Sequence, residues 1–353
     1  MLQLVTSLLS IPSPTFHEAE CSRFIHTWLI NECPSVNIRQ CGDSIIATRP
    51  DANSVDGPNI VLVGHIDTVP AFFTPYQNGN KLHGSGASDM KASVAQYMHL
   101  FRHFFTSSRL NLSLIVYTKE EGTPLETNGL YELIQVSPSF FKKIDLAIVG
   151  EPTNSAIQLG CVGSIHAKIT VKGKACHSAR PWQGQNALYK ALPVVSYFSK
   201  LKPRKKTQFG VSFFDVLSIT ESHSEPGRTT IPGLWEANLN FRYAPRSMQE
   251  AEIELQSHFK KAGLALENTE ILDHAYSGTV LETPLLKRVI KTLNQPIEAK
   301  QAWTDVAQLS QLGIPAFNFG AGLQEQAHKP DEYIHVDELI KYDNTLKACL
   351  DSI

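Results

Sequence analysis

Three short apolar runs, Ile60 to Gly64, Leu112 to Thr118 and Ile144 to Gly150, alternate with stretches of helical periodicity, the pattern of an α/β sheet covered by helices. Between the first two runs Met90, Val94, Tyr97, Met98, Phe101, Phe104 and Phe105 recur at intervals of three and four, so the spacing predicts an amphipathic helix starting just after Asp89. The rhythm changes after about residue 160. Ile165, Ala167, Ile169 and Val171 alternate with His166, Lys168, Thr170 and Lys172 as in a half-buried strand, and Trp235, Ala237, Leu239, Phe241 and Tyr243 share one face of another. Helical patterns at Asn186 to Ser199 and Ser247 to Ala262 complete a module of two strands and two helices. From about residue 275 the first pattern returns, with a helix at Pro284 to Leu293, an apolar run at Ile314 to Phe319 and a Gly-rich loop before His328. Residues 1–159 and 275–353 are therefore expected to form one α/β domain, with residues 160–274 inserted as a smaller α+β domain.

Composition agrees with two soluble domains: 353 residues, 42% hydrophobic and 19% charged. A net charge of −2 and a pI near 6.7 give no nucleic-acid footprint, and the short basic run Lys202 to Lys206 reads as a solvated loop. The N-terminal MLQLVTSLLSIPSP lacks a basic leader, and no apolar stretch approaches the roughly 20 residues that span a bilayer, so a cytoplasmic protein without a membrane partner is expected. Cys21, Cys33, Cys41, Cys161, Cys176 and Cys349 are scattered without a CxxC pair and read as reduced thiols. Any metal must then be held by histidine and carboxylate.

The candidate chemistry lies where apolar runs end. Val61-Leu62-Val63-Gly64 leads into His65-Ile66-Asp67, Leu114-Ile115-Val116-Tyr117 into Glu120-Glu121, and Ala147-Ile148-Val149-Gly150 into Glu151. Ligands of open α/β sheets bind at the carboxyl ends of the strands, so these clusters are expected to converge. Converging carboxylates repel one another unless a cation sits among them, and imidazole with carboxylate suits zinc, cobalt or manganese.

Taken singly, each motif has a plainer reading. His65 fits a hydrogen-bonded turn residue as well as a ligand whose ring Asp67 orients. Asp89, after Gly84-Ser85-Gly86-Ala87-Ser88, fits a helix N-cap. A nucleotide loop is rejected there, because no strand immediately precedes it and the third glycine is missing. Glu120 and Glu121 fit a pair of solvated loop acids, or a general base beside a metal ligand.

VLVGHIDTVP, GSGASDMKASVA, YTKEEG, VGEPT, KACHSARPWQGQNAL and AHKPDEYI occur in the order and approximate spacing of the two-zinc aminoacylase and carboxypeptidase G family of peptidases and deacylases, which the chain resembles along nearly its whole length. CVGSIHAKITVKGKACHSAR and AWTDVAQLSQLGIPAFNFGAG look most like the actinobacterial-type desuccinylases of that family. The resemblance implies a zinc-peptidase-like catalytic domain with helices on both faces of a mixed sheet, and an inserted dimerisation (lid) domain. It implies two zinc ions per subunit, replaceable by Co2+ or Mn2+. His65 and Glu151 would bind one, Glu121 and His328 the other, and Asp89 both. Glu120 would be the general base, Asp67 would orient His65, and His177 would reach the partner's site in a homodimer and stabilise the oxyanion. Arg242 looks like a clamp for a substrate carboxylate, and Arg180, Gly320 and Gly322 are further substrate-binding candidates.

One position departs from the family, which often has an Asn-Val-Ile-Pro stretch where this chain reads Arg228-Thr229-Thr230-Ile231-Pro232. Thr229 would then supply a hydroxyl in place of an amide. The implied reaction is metal-dependent hydrolysis of an N-acyl amide, foremost N-succinyl-diaminopimelate. An acetylornithine or acetyl-lysine deacetylase, a dipeptidase and a catalytically silent binding protein are the rivals.

Overall fold

The computed structural model describes residues 1–50, 56–70, 72–107, 109–225 and 227–353. It divides into two compact units, residues 1–160 with 280–298 and 304–353, and residues 161–279 with 299–303.

The first unit is built on an eight-stranded mixed sheet. Its order is Asn37–Cys41, Ser44–Thr48, Asn111–Tyr117, Asn59–His65, Leu146–Val149, Ala316–Asn318, Ile157–Leu159 and Ile297–Ala299. Asn59–His65 runs parallel to both neighbours, and Leu146–Val149 runs parallel to Ala316–Asn318, so the ends of these strands point the same way. Side chains alternate between faces along each strand, and helices cover both. Val61, Val63, Ile115, Ala147 and Val149 pack with Leu130, Leu133, Val306 and Leu309 of the helices Gly129–Val136 and Val306–Gln311. On the opposite face the Lys91–Phe104 helix approaches so closely that a Cβ on Gly64 would lie 2.8 Å from the Met90 Cε and 2.9 Å from a Val94 methyl. A separate three-stranded sheet, Tyr333–His335, Lys81–His83 and Tyr76–Asn78, stands beside the loop that leads to Asp89.

The second unit has a five-stranded antiparallel sheet in the order Arg204–Gln208, Val211–Ser224, Leu234–Tyr243, Gly163–Lys172 and Thr269–Ala275. Ile165, Ala167, Ile169, Trp235, Ala237, Leu239 and Phe241 form a core with Ala187, Ala191, Phe198, Leu255 and Phe259 of the helices Ala187–Ser199 and Met248–Lys261. Both helices begin where their caps are: Asn186 accepts the N–H groups of Leu188 and Tyr189, and Ser247 forms a capping box with Glu250. Residues 299–303 belong here through the Val162 N–H on the Lys300 carbonyl, the Gln301 amide on both main-chain groups of Phe214, and the Trp303 indole on the Tyr276 carbonyl.

This unit has more strands than its sequence predicts. Thr269–Ala275 is an edge strand that is mostly exposed, so no apolar alternation marks it. Arg204–Gln208 corrects the reading of the basic run as a loop. It is the opposite edge strand, and lysines along a free edge discourage pairing with other chains.

Asp215, buried beside that edge, accepts hydrogen bonds from the Ala244 N–H at 2.7 Å, Arg204 Nη2 at 2.7 Å and Arg246 Nη1 at 3.0 Å. Burial would raise its pKa, but Arg246, the Ala244 N–H and Arg204 outweigh it and hold the carboxyl below the ordinary value. A depressed folded pKa contributes stability that is complete above the unfolded value of about 4 and is lost as pH falls through the folded value. Thermal unfolding followed from pH 6 to pH 3 should therefore show a smaller loss in Asp215→Asn than in the parent. Parallel curves would remove Asp215 from the acid response.

Candidate metal centre

His65 is the last residue of its strand and pairs with Tyr117, so it stands at the carboxyl edge of the parallel region. Its Nδ1 lies 3.0 Å from the main-chain carbonyl of Asp67, while the nearer carboxylate oxygen of Asp67 is 3.6 Å away. The carbonyl rather than the carboxylate therefore fixes the tautomer, leaving Nε2 free to face a cation. The Asp67 carboxylate is engaged elsewhere: it accepts the N–H of Glu120 at 3.1 Å, the N–H of Glu121 at 2.9 Å and the Thr15 hydroxyl at 3.1 Å. Asp67 thus shapes the backbone that carries the two glutamates.

Asp89 does not cap the helix that follows; Met90 takes that position. The Asp89 carboxylate instead divides between two histidines, with Oδ1 3.3 Å from His65 Nε2 and Oδ2 3.6 Å from His328 Nε2. Glu151 Oε1 lies 4.0 Å from His65 Nε2, and Glu121 Oε2 lies 3.0 Å from His328 Nε2. Ligand atoms of His65, Asp89 and Glu151 fall within 4.8 Å of one another, as do those of Asp89, Glu121 and His328, and of His65, Glu120 and Glu121. Two of these three groups share Asp89.

The charges require a counterpart. Burial lowers the His65 pKa, but the Asp67 and Asp89 carboxylates outweigh it and push the imidazole well above its ordinary value. Glu121, and then Asp89, carry His328 up to about 9. Burial followed by the neighbouring Glu151 and Glu121 raises Glu120 well above a normal carboxyl. Such a set of carboxylates attracts positive charge, and two divalent cations shared between imidazole and carboxylate oxygen fit the donors without any thiolate.

The model of peptidase family M20/M25/M40 matches residues 61–352. The chain belongs to that family. The resemblance read from the motifs is borne out, and the M20 chain is a metal-dependent hydrolase. It is 34% identical to the succinyl-diaminopimelate desuccinylase of Corynebacterium glutamicum over 98% of this chain and 95% of the relative. It is 26% identical to the enzyme of the same name from Variovorax paradoxus, over 100% and 97%. Among solved structures it shares its fold with aminopeptidase PepT of Bacillus cereus, with a TM-score of 0.79, 16% identity, and 99% and 97% of the two chains covered. A dinuclear metal-binding M20 peptidase of Bacillus subtilis aligns with a TM-score of 0.71, at 16% identity over 99% and 96%.

Gly320 and Gly322 belong to the frame of the M20 centre. A Cβ on Gly320 would lie 2.4 Å from the Glu151 carbonyl oxygen, and one on Gly322 would lie 2.1 Å from the Ser88 carbonyl oxygen. Only glycine allows that strand end to press against the segments carrying Glu151 and Asp89.

The remaining candidates lie in the second unit. His177 is exposed and pairs with Thr230, and the adjoining Ser178 N–H donates to the Thr229 carbonyl at 2.8 Å, so the fold brings His177 and Thr229 together from distant sequence. His177 Nδ1 accepts the Ala179 N–H at 3.1 Å, and Arg180 is exposed. Arg242, on the sheet face away from the helices, donates through Nε to Asn240 Oδ1 at 3.0 Å.

Sequence reasoning missed Glu332. Its buried carboxylate accepts the N–H groups of Gly86 and Ser88 at 2.7 Å and of Asp89 at 2.8 Å, fixing the loop that presents Asp89. Glu18 was also missed; it accepts the N–H of Lys119, next to Glu120, at 3.0 Å. Glu332 falls inside the AHKPDEYI motif, but nothing local marks it as the holder of a loop 243 residues away.

Proposed function

We propose that this M20 chain hydrolyses an N-acyl amide, N-succinyl-LL-2,6-diaminopimelate, to succinate and diaminopimelate, a step of lysine biosynthesis. The observation that carries the reading is Asp89, whose two oxygens each serve one histidine, with Glu151 beside the first and Glu121 beside the second. The names of the curated relatives supply the acyl group and the amine.

Zinc is the proposed metal, with Co2+ or Mn2+ as substitutes. His65 and Glu151 would hold one ion, Glu121 and His328 the other, and Asp89 would serve both. Divalent ions bound there supply the Lewis acidity that polarises an amide carbonyl and makes a water acidic. Glu120 takes a proton from the attacking water and delivers it to the leaving nitrogen, a role suited to a carboxyl beside His65 and Glu121 on a backbone whose N–H Asp67 holds. Arg242 clamps a substrate carboxylate through its guanidinium fork, with its Nε already held by Asn240.

We assign residues 1–159 and 275–353 to catalysis and residues 160–274 to dimerisation, with His177 acting as oxyanion donor in the partner's site and Arg180, Thr229, Gly320 and Gly322 near the substrate. The small-molecule substrate and the second copy are the partners in this reading, and the location is cytoplasmic. Among the described residues no helix is long and apolar enough to cross a membrane.

The test is metal-free protein titrated with zinc and assayed on N-succinyl-diaminopimelate, N-acetylornithine, N-acetyl-lysine and dipeptides. The succinyl compound should give the highest kcat/KM, rising with zinc to two equivalents. A higher kcat/KM on any other compound would discard the substrate while keeping the metal centre.

A further inference from the structure

Asp305 occupies the N-cap position of the Val306–Gln311 helix yet makes no capping hydrogen bond. Its side chain is fully buried and accepts three donors instead: the Tyr117 hydroxyl, the Asn128 amide at 3.3 Å and the Gln308 amide. Two of these come from far along the chain, and they stand at the two ends of one segment. Tyr117 closes the strand before the Glu120–Glu121 loop, and Asn128 caps the Gly129–Val136 helix after it. The Tyr117 ring also packs edge-on against the His65 imidazole, with centroids 6.1 Å apart and planes at 67°.

A buried carboxylate costs desolvation, and packing the site with apolar side chains would avoid it. Its three donors give it a task that only a strong acceptor performs. The contacts of Asp305 reach two of the segments that carry candidate ligands without touching a ligand: the His65 ring through Tyr117, and the loop of Glu120 and Glu121 through both its ends. Asp67 and Glu18 hold the tip of that loop through the N–H groups of Glu120, Glu121 and Lys119.

We infer that Asp305 is a positioning residue for the reaction, setting through Tyr117 and Asn128 the placement of His65 and of the Glu120–Glu121 loop. The inference rests on the reading of His65, Glu120 and Glu121 as metal and base residues. It assigns Asp305 no contact with substrate. Acting on alignment rather than affinity, its loss should lower kcat and leave KM nearly unchanged.

The experiment uses the full chain loaded with Co2+, because the absorption spectrum of bound cobalt reports ligand geometry whether or not a substrate is turned over. Tyr117→Phe removes one donor and keeps the ring against His65; Asp305→Ala removes the hub. Both should bind two metal ions at saturation, shift the cobalt spectrum and lower kcat, roughly tenfold for Tyr117→Phe and roughly a hundredfold for Asp305→Ala, with KM within threefold. Asp305→Asn should recover part of that loss, since the amide oxygen still accepts the Tyr117 hydroxyl and Gln308, whose Oε1 has no partner, can turn to accept the new N–H. An unchanged cobalt spectrum with unchanged kcat in Tyr117→Phe would overturn the inference even if Asp305→Ala fails to fold. A loss confined to thermal stability would overturn it as well. If the parent hydrolyses no amide, the substrate reading fails, and the cobalt spectra still decide the role of Asp305.

Discussion

Replacing Glu120 by glutamine should lower kcat by roughly a thousandfold or more while leaving two metal ions bound and KM within a few-fold. The glutamine keeps the shape and the main-chain N–H that Asp67 holds, so the loop keeps its course. What disappears is a carboxylate able to take a proton from water and return it to the leaving nitrogen. Metal content by elemental analysis, read beside steady-state kinetics, separates this outcome from loss of the centre. Normal turnover in Glu120→Gln would end the role of Glu120 as base and move attention to another carboxylate of the cluster. Depletion of one metal would make Glu120 a ligand, which its place with His65 and Glu121 allows geometrically.

The second large effect is expected at Asp89. Because one oxygen faces His65 and the other faces His328, Asp89→Ala removes a ligand from both half-sites at once. Each half-site is left with one imidazole and one carboxylate, and the negative charge that neutralised the cations is reduced. The protein should then carry less than one firmly bound ion per chain, and turnover should fall to background. Metal binding also stabilises the folded state by mass action, about 2.7 kcal/mol for a ligand at a hundred times its Kd. The rise in Tm that zinc gives the parent should therefore shrink or vanish in Asp89→Ala. A variant that keeps two ions and the full zinc-dependent shift would show that the aspartate does not bridge.

Much of this was visible in the chain. The apolar runs ending at Gly64, Tyr117 and Gly150 specify strands, since buried parallel strands carry unbroken apolar side chains, and each leads at once into His65, Glu120-Glu121 or Glu151. The period of three and four from Met90 to Phe104 is likewise local, as are the caps Asn186 and Ser247. The second sheet was legible only where one face is buried. Its edge strands, Arg204–Gln208 and Thr269–Ala275, are largely exposed and carry no periodic signal.

The sequence by itself determined which residues could bind a metal, the apolar strands that lead into them and the family to which the chain belongs, because apolar periodicity and motif spacing are properties of neighbours along the chain. Only the tertiary structure decided how those residues are held. That Asp89 faces two histidines instead of capping its helix, that the Asp67 carbonyl takes the His65 ring N–H while its carboxylate holds the glutamate loop, and that Glu332 and Asp305 brace segments 177 to 246 residues away all depend on pairings made across the sheet. A buried carboxylate finds its donors wherever folding leaves main-chain N–H and hydroxyl groups unpaired, and that is settled in three dimensions, not along the chain.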